Sequence, residues 1–313
     1  MALYPRLENA IRNIREYTQQ GVAAGANGVL VSDWGDNGHD QPLSNSLYPF
    51  LWGAECAWTG GTTDSADFDA AFGLQVLRDR SGTQVAALRR LGASTQADKN
   101  WMTTWDTAMA LYEDPLAGKV WQATPPEVVA EARAAAEAIQ PLLSQITDPI
   151  LRADLGFVTW QIIFACDKVE TTRRIRRALA DLSNGTSAER DPLASLVTAL
   201  RIQGMTLPAM KREFERRWLA GARPSSIQVN LKRYDALIEQ TRRAKSWLYD
   251  QWMHHKAGKP VDTTLLTYDT GGYAVLHEAT YLWVKELEAI IGHDALPPDI
   301  QQYLRDVGGD PTR

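Results

Sequence analysis

Apolar residues recur at intervals of three and four along most of the chain, the spacing that places them on one face of an α-helix. The first stripe consists of Tyr4, Leu7, Ile11, Ile14 and Tyr17. Four later stripes begin at Val128, Val158, Ile227 and Leu276. No repeat of fixed period relates them, so the pattern beyond about residue 64 predicts a helical bundle rather than a solenoid.

Two segments near the N-terminus have a different pattern. The run Val29-Leu-Val-Ser32 follows a glycine-rich stop and is short and apolar, as in a buried parallel strand. Residues 50–58 mix helix and strand signals, and we interpret them as a second short strand. We therefore predict a mostly α protein, in which a segment with two short parallel strands (1–72) precedes an α-helical domain (73–313).

Composition is that of a globular protein. The chain has 313 residues, 44% hydrophobic and 23% charged, which excludes disordered and collagen-like classes. The 11 tryptophans suit flat partners such as sugars, although most are expected in the core. Cys56 and Cys166 are far apart, so neither a disulfide framework nor a zinc cluster is expected. The absence of a leader-like or membrane-spanning apolar run predicts a cytoplasmic protein that has no membrane partner.

Charge is distributed unevenly around a net value of −5. Residues 170–245 contain 16 basic and 8 acidic side chains, a net charge of +8. One interpretation is an anionic partner bound by this arginine-rich middle. The alternative, which we favour, is that the basic helices balance the acidic remainder and cover apolar surface with their arginine stems. Nucleic acid is therefore not expected as a partner.

The loop at 33–40 is the best candidate for a site. It places Asp33, Trp34, Asp36 and His39 directly after the first predicted strand, where α/β folds locate their binding residues. Carboxylates bind hydroxyls, an indole stacks on a sugar face, and an imidazole binds or relays a proton. Each residue also has a structural interpretation, because this composition is typical of turns and helix caps.

Common catalytic and cofactor motifs do not fit the sequence. An EF-hand starting at Asp33 fails because Gly35 and Ser44 occupy the third and twelfth positions. A zinc-protease motif starting at His277 fails because Tyr281 replaces its second histidine. No phosphate-binding loop, dinucleotide fingerprint or serine-hydrolase elbow occurs, so neither a metal nor a cofactor is expected.

The segment from residue 3 to residue 58 resembles a known family. Its runs YPRLENA (4–10), GVLVSDWGDNGH (28–39) and LWGAECAW (51–58) are similar to the closing part of the catalytic barrel in bacterial family 20 glycoside hydrolases, the β-N-acetylhexosaminidases. The resemblance implies the seventh and eighth strands of a (β/α)₈ barrel. It also implies that Asp33, Trp34 and Asp36 contact an N-acetylhexosamine and that Trp58 stacks on its ring. Relatives commonly carry a glutamate where this chain has Gly60.

The adjacent Asp-Glu pair that performs the family's substrate-assisted chemistry is missing. The chain has Glu113 followed by Asp114, which is the reverse of the Asp-Glu order that the family uses. We therefore expect no catalytic residue here, and whether the chain is an enzyme stays open. The expected function is the C-terminal part of an N-acetylhexosaminide hydrolase, inactive alone and completed by self-association or by a missing barrel half in trans. The alternatives are a stand-alone helical carbohydrate-binding or interaction module, and the anion-binding helical protein.

Overall fold

The computed structural model describes residues 2–34, 39–95, 107–118, 124–187 and 191–267, together with Gly292, Asp294 and Gln301. These residues are mostly helical, and they contain no β-strand. The helices are α1 Leu7–Ala23, α2 Leu47–Thr59, α3 Ser65–Phe72, α4 Thr83–Ser94, α5 Thr107–Tyr112, α6 Pro126–Ile139, α7 Pro149–Ser183, α8 Ala194–Gly221, α9 Ile227–Lys256 and α10 Thr264–Thr267. Short 3₁₀ turns occupy Leu43–Ser46 and Gln140–Gln145, and a π turn occupies Gly73–Leu77.

The three longest helices, α7 to α9, form the centre of the bundle. Asp148 caps the N-terminus of α7. Its carboxylate accepts hydrogen bonds from the backbone N–H groups of Ile150 and Leu151 at 2.9 and 2.8 Å. Aromatic rings join the helices, with the ring centroids of Phe214 on α8 and Tyr234 on α9 5.6 Å apart. The mostly helical class and the bundle are thus confirmed. The predicted stripe that begins at Leu276 lies outside the described residues.

α7 is the one described helix that is long and apolar enough to cross a membrane by length and composition. Within its apolar window, 61% of the residues are buried inside the protein. A core helix passes the same test, and the burial of α7 against α6 and α8 accounts for its composition.

Helices α1, α2 and α4 form the other side of the same core. Trp52 on α2 is fully buried and donates its indole N–H to the carbonyl of Ile11 on α1 at 2.9 Å. Gly92 allows α4 to approach α1, because a Cβ atom there would lie 2.8 Å from the Cβ of Leu7. The main apolar cluster runs from Leu3 to Leu237, so it takes residues from both sides of the predicted boundary at residue 72.

The two predicted strands are wrong for the described residues. The run Val29-Leu-Val-Ser32 forms no strand, and Leu30 is 89% exposed, so the expected burial is absent as well. Residues 50–58 lie inside helix α2. The physical reason is that Tyr48, Trp52 and Cys56, which recur every fourth residue, are all buried on one helical face.

Candidate functional site

A groove of about 470 Å³ runs between α1 and residues 29–34, with the first turn of α2 at its floor. Its polar lining comes from Arg6, Asn9 and Asn13 on one side and from Asp33 and His39 on the other. Apolar walls are provided by the side chains of Tyr17, Leu30, Trp34 and Phe50. The groove therefore offers aromatic faces beside hydrogen-bonding groups.

Asp33 is held by three side chains. Ser46 Oγ donates to Asp33 Oδ2 at 2.6 Å, and Gln41 Nε2 donates to Oδ1 at 3.1 Å. His39 Nε2 lies 3.2 Å from Oδ2. The carboxylate thus fastens the segment after residue 28 to the N-terminal end of α2.

The pKa values of Asp33 and His39 move apart. Burial raises the pKa of Asp33, but the hydrogen bonds from His39 and Ser46 and the nearby imidazolium outweigh it, so that pKa is lowered. The hydrogen bond to Asp33 raises the pKa of His39 despite its burial. His39 Nδ1 also lies 2.6 Å from the carbonyl oxygen of Gln41. Since both ring nitrogens face acceptors, the doubly protonated ring fits this position.

This cluster is not arranged as a catalytic triad. A serine nucleophile needs its hydroxyl bonded to the histidine, which the carboxylate then orients. Here Ser46 Oγ donates to Asp33 and not to His39. The arrangement positions Asp33 and the loop rather than activating Ser46.

Asp40 anchors the loop to distant helices. It is 4% exposed and accepts hydrogen bonds from Tyr112 Oη at 3.1 Å and Asn230 Nδ2 at 2.7 Å. Arg233 Nη1 lies 3.0 Å from its second oxygen. Sequence reasoning missed this residue because its partners on α5 and α9 are far away along the chain, and its own surroundings are those of an ordinary loop aspartate.

The structure brings together three of the five predicted site residues. Asp33, Trp34 and His39 all line the groove. Trp34 is 79% exposed, and its indole N–H donates to Ser32 Oγ at 2.8 Å. Trp58 is 91% exposed near the C-terminal end of α2 and does not line the groove. Asp36 lies outside the described residues.

The described residues contain no cluster of three or more histidine, cysteine or acidic side chains that could hold a metal ion. Cys56 and Cys166 are free thiols in the core. Burial raises the pKa of Cys166 to about 12, so this thiol is not an activated nucleophile.

The paired arginines of the basic middle make two kinds of contact: some bond other elements of the protein, and others pair with a glutamate of their own helix. Arg217 bonds Asp154 at 2.6 Å and Glu213 at 2.7 Å. Arg242 and Arg243 both pair with Glu239 at 2.7 Å. Arg173 and Arg176 donate to backbone carbonyl groups of Thr124 and Leu265. These contacts are the ones expected if basic helices are balanced internally.

Comparison with known proteins adds no assignment. No family model matches the chain. No characterised protein matches it either. The likeness to family 20 glycoside hydrolases therefore depends on the residues at 4–10, 28–39 and 51–58 alone.

Proposed function

We propose that the groove beside α1 binds a saccharide of the N-acetylhexosamine type, and that the chain supplies sugar contacts without catalysing hydrolysis. The observation that carries this proposal is the exposed indole of Trp34 at a groove that also contains Asp33 and His39. Aromatic faces and fixed polar groups together are what a sugar ring requires. The likeness to family 20 enzymes points to the same residues.

The size and lining of the groove support this ligand class. A volume of about 470 Å³ is within the range of small-molecule sites. Asn9 and Asn13 offer amide groups from α1, and Arg6 adds a guanidinium. The two asparagine amides can donate to hydroxyl and acetamide oxygens and can accept from sugar hydroxyls, and the guanidinium can donate to the same oxygens, without carrying out chemistry.

Asp33 is the carboxylate best placed to accept from a sugar hydroxyl. Its Oδ1 accepts a hydrogen bond from Gln41. Its Oδ2 has more contacts, because Ser46 donates to it and His39 Nε2 lies 3.2 Å away. A carboxylate has about four lone-pair sites, so Oδ1 retains acceptor capacity. The low pKa of Asp33 keeps it ionised and favours this acceptor role over proton donation.

A binding function without turnover follows from the number of carboxylates. Glycoside hydrolysis generally needs two carboxyl groups flanking the scissile bond. Among the described lining residues, the acidic ones are Asp33 and Asp40, and Asp40 is buried in contacts with α5 and α9. We therefore propose a binding module, or the sugar-binding portion of a larger hydrolase completed in trans.

Titration of tryptophan fluorescence with N-acetylglucosamine and its β-1,4-linked disaccharide tests the proposal. We expect a saturable change that is lost in Trp34→Ala and kept in Trp58→Ala, the matched exposed tryptophan outside the groove. Glucose serves as the control sugar without an acetamide. No saturable change with either acetamido sugar, or equal loss in both variants, would refute binding at this groove.

A further inference from the structure

Residues 28–34 have unused backbone hydrogen-bonding groups. Their N–H and C=O groups form no hydrogen bond with any described residue. The segment is nevertheless fixed, because the Val31 side chain covers Gly53 on α2 and Asp33 is bonded to Ser46. When a segment is fixed in place and its backbone N–H and C=O groups are unpaired, a second extended peptide can form backbone hydrogen bonds with it, as an added β-strand does.

Side-chain exposure along this segment alternates with a period of two. Residues 29, 31 and 33 are half-buried, whereas residues 30, 32 and 34 are exposed. This alternation is typical of an extended backbone, in which successive side chains point to opposite faces and successive N–H groups to opposite edges. Residues 29–34 thus have the side-chain pattern of a strand, but none of the described residues pairs with their backbone.

The two walls of the groove have matching lengths. The five residue steps from Val29 to Trp34 span about 16 Å at a strand rise of 3.3 Å per residue. On the opposite wall, the eleven residue steps from Arg6 to Tyr17 on α1 also span about 16 Å at a helical rise of 1.5 Å. When an extended peptide pairs with a segment that faces a helix across a groove, its alternate side chains lie against the helix.

The charged residues of the groove favour peptides that contain a carboxylate. Arg6 lines the groove and forms no ion pair with any described residue. The acidic lining residues Asp33 and Asp40 already contact His39 and Arg233. Arg6 is thus a cationic lining residue without an ion-pair partner among the described residues, and it favours a ligand that brings a carboxylate to it.

We propose that this groove binds an extended segment of another polypeptide, which pairs through its backbone with residues 29–33 and places a carboxylate at Arg6. Small apolar side chains at alternate positions match the walls formed by Tyr17, Leu30 and Phe50. The peptide would occupy the groove that we also propose for the sugar, so the two ligands should exclude each other. The inference itself rests on the backbone at 29–33 and on Arg6, and it holds whether or not a sugar binds.

The probe is a synthetic hexapeptide of alternating valine and threonine, acetylated at its N-terminus and carrying a free C-terminal carboxylate. Hydrogen exchange of the full chain, followed by mass spectrometry, is expected to show fast exchange at 29–33 that slows when the peptide is added. Unchanged exchange at saturating peptide would overturn the proposal. Protection that rises with protein concentration in the absence of peptide would also overturn it, since a second copy would then be the occupant.

Arg6 is tested without disturbing the backbone. The same peptide with a C-terminal amide is expected to bind about tenfold more weakly to the unmodified protein, the effect of one charge-assisted hydrogen bond. In Arg6→Gln the two peptides should bind equally, whereas Arg80→Gln, an exposed arginine outside the groove, should preserve the difference. An equal preference in Arg6→Gln and the unmodified protein would contradict the assigned role of Arg6.

Proline substitution tests the backbone pairing. Val29→Pro and Leu30→Pro remove amide donors from opposite edges of an extended segment, and each is compared with the corresponding alanine variant. We expect one proline variant, but neither alanine variant, to lose peptide binding. Circular dichroism verifies that each variant is folded. Retention of binding in both folded proline variants would exclude strand pairing.

Discussion

His39 Nε2 lies 3.2 Å from Asp33 Oδ2, and this pair closes the loop that borders the groove. Ser46 and Gln41 bond the same carboxylate, so the loop position depends on an ionised Asp33. The pair is half-buried, so dissolved salt screens it less than it screens an exposed pair.

The His39–Asp33 pair predicts a defined pH dependence of stability. The pKa of His39 is raised above 6.5, so its contribution is full below pH 6.5 and is lost as pH rises through the folded pKa. The pKa of Asp33 is lowered below 3.8, so its contribution is present above pH 3.8 and is lost as pH falls through its folded value. His39→Gln should therefore reduce the free energy of unfolding most between these limits.

Urea unfolding at a series of pH values measures this effect. The difference between the unmodified protein and His39→Gln should shrink once the pH exceeds the folded pKa of His39. His254→Gln, an exposed histidine on α9, is the control, and it should change the free energy of unfolding little at any pH in the series. A difference for His39→Gln that is constant across the whole pH range would contradict the charged pair.

Removal of the Asp40 carboxylate should destabilise the fold strongly. Asp40→Ala leaves the buried donors of Tyr112 and Asn230 and the charge of Arg233 without this acceptor. Breaking a buried ion pair of this kind costs about 3–5 kcal/mol of the free energy of unfolding. Chemical denaturation measures the loss, and Asp250→Ala, an exposed carboxylate on α9, should change stability by less than about 0.5 kcal/mol. Equal effects of the two substitutions would refute the anchoring role.

The close approach of α4 to α1 predicts an overpacking penalty at Gly92. A Cβ atom there would lie 2.7 Å from Leu7 Cγ and 3.1 Å from the Leu7 backbone nitrogen. Gly92→Ala should lower the free energy of unfolding by about 1–3 kcal/mol despite the better helix propensity of alanine. Gly221→Ala is the matched helical control, since no atom lies within 4 Å of its Cβ position. A stabilised Gly92→Ala variant would show that the helices separate freely.

The purified chain should not hydrolyse a chromogenic N-acetylglucosaminide. The reason is that the described groove offers Asp33 but no second free carboxylate at its side. Release of the chromophore is the readout, with buffer and Asp33→Asn as references. Turnover by the unmodified chain that disappears in Asp33→Asn would contradict a binding role without catalysis.

The helices were predictable from sequence because their stripes have a clear period of three and four, as in α1 and α9. The strand prediction at 50–58 failed because most positions of this run are apolar, so the spacing of apolar residues does not distinguish a helix from a strand. The fourfold recurrence of Tyr48, Trp52 and Cys56 was the correct signal, and the left-handed Gly60, with φ of 67°, ends that helix.

The candidate site was predictable only in part. Asp33, Trp34 and His39 are close in sequence, so their clustering followed from the loop composition. Asp40 depends on Asn230 and Tyr112, contacts that tertiary folding creates and local pattern does not contain. Trp58 was assigned by resemblance, but the helix that contains it points its indole to solvent outside the groove.

The central claim is that an acetamido sugar binds in the groove beside α1. Hydrogen exchange of the full chain with and without the β-1,4-linked disaccharide of N-acetylglucosamine tests it most directly, because it locates the ligand. Slower exchange confined to residues 29–34, 39–41 and the first turns of α1, absent in Trp34→Ala, is the predicted result. Unchanged exchange in these segments at saturating disaccharide, or protection near Trp58 instead, would contradict it.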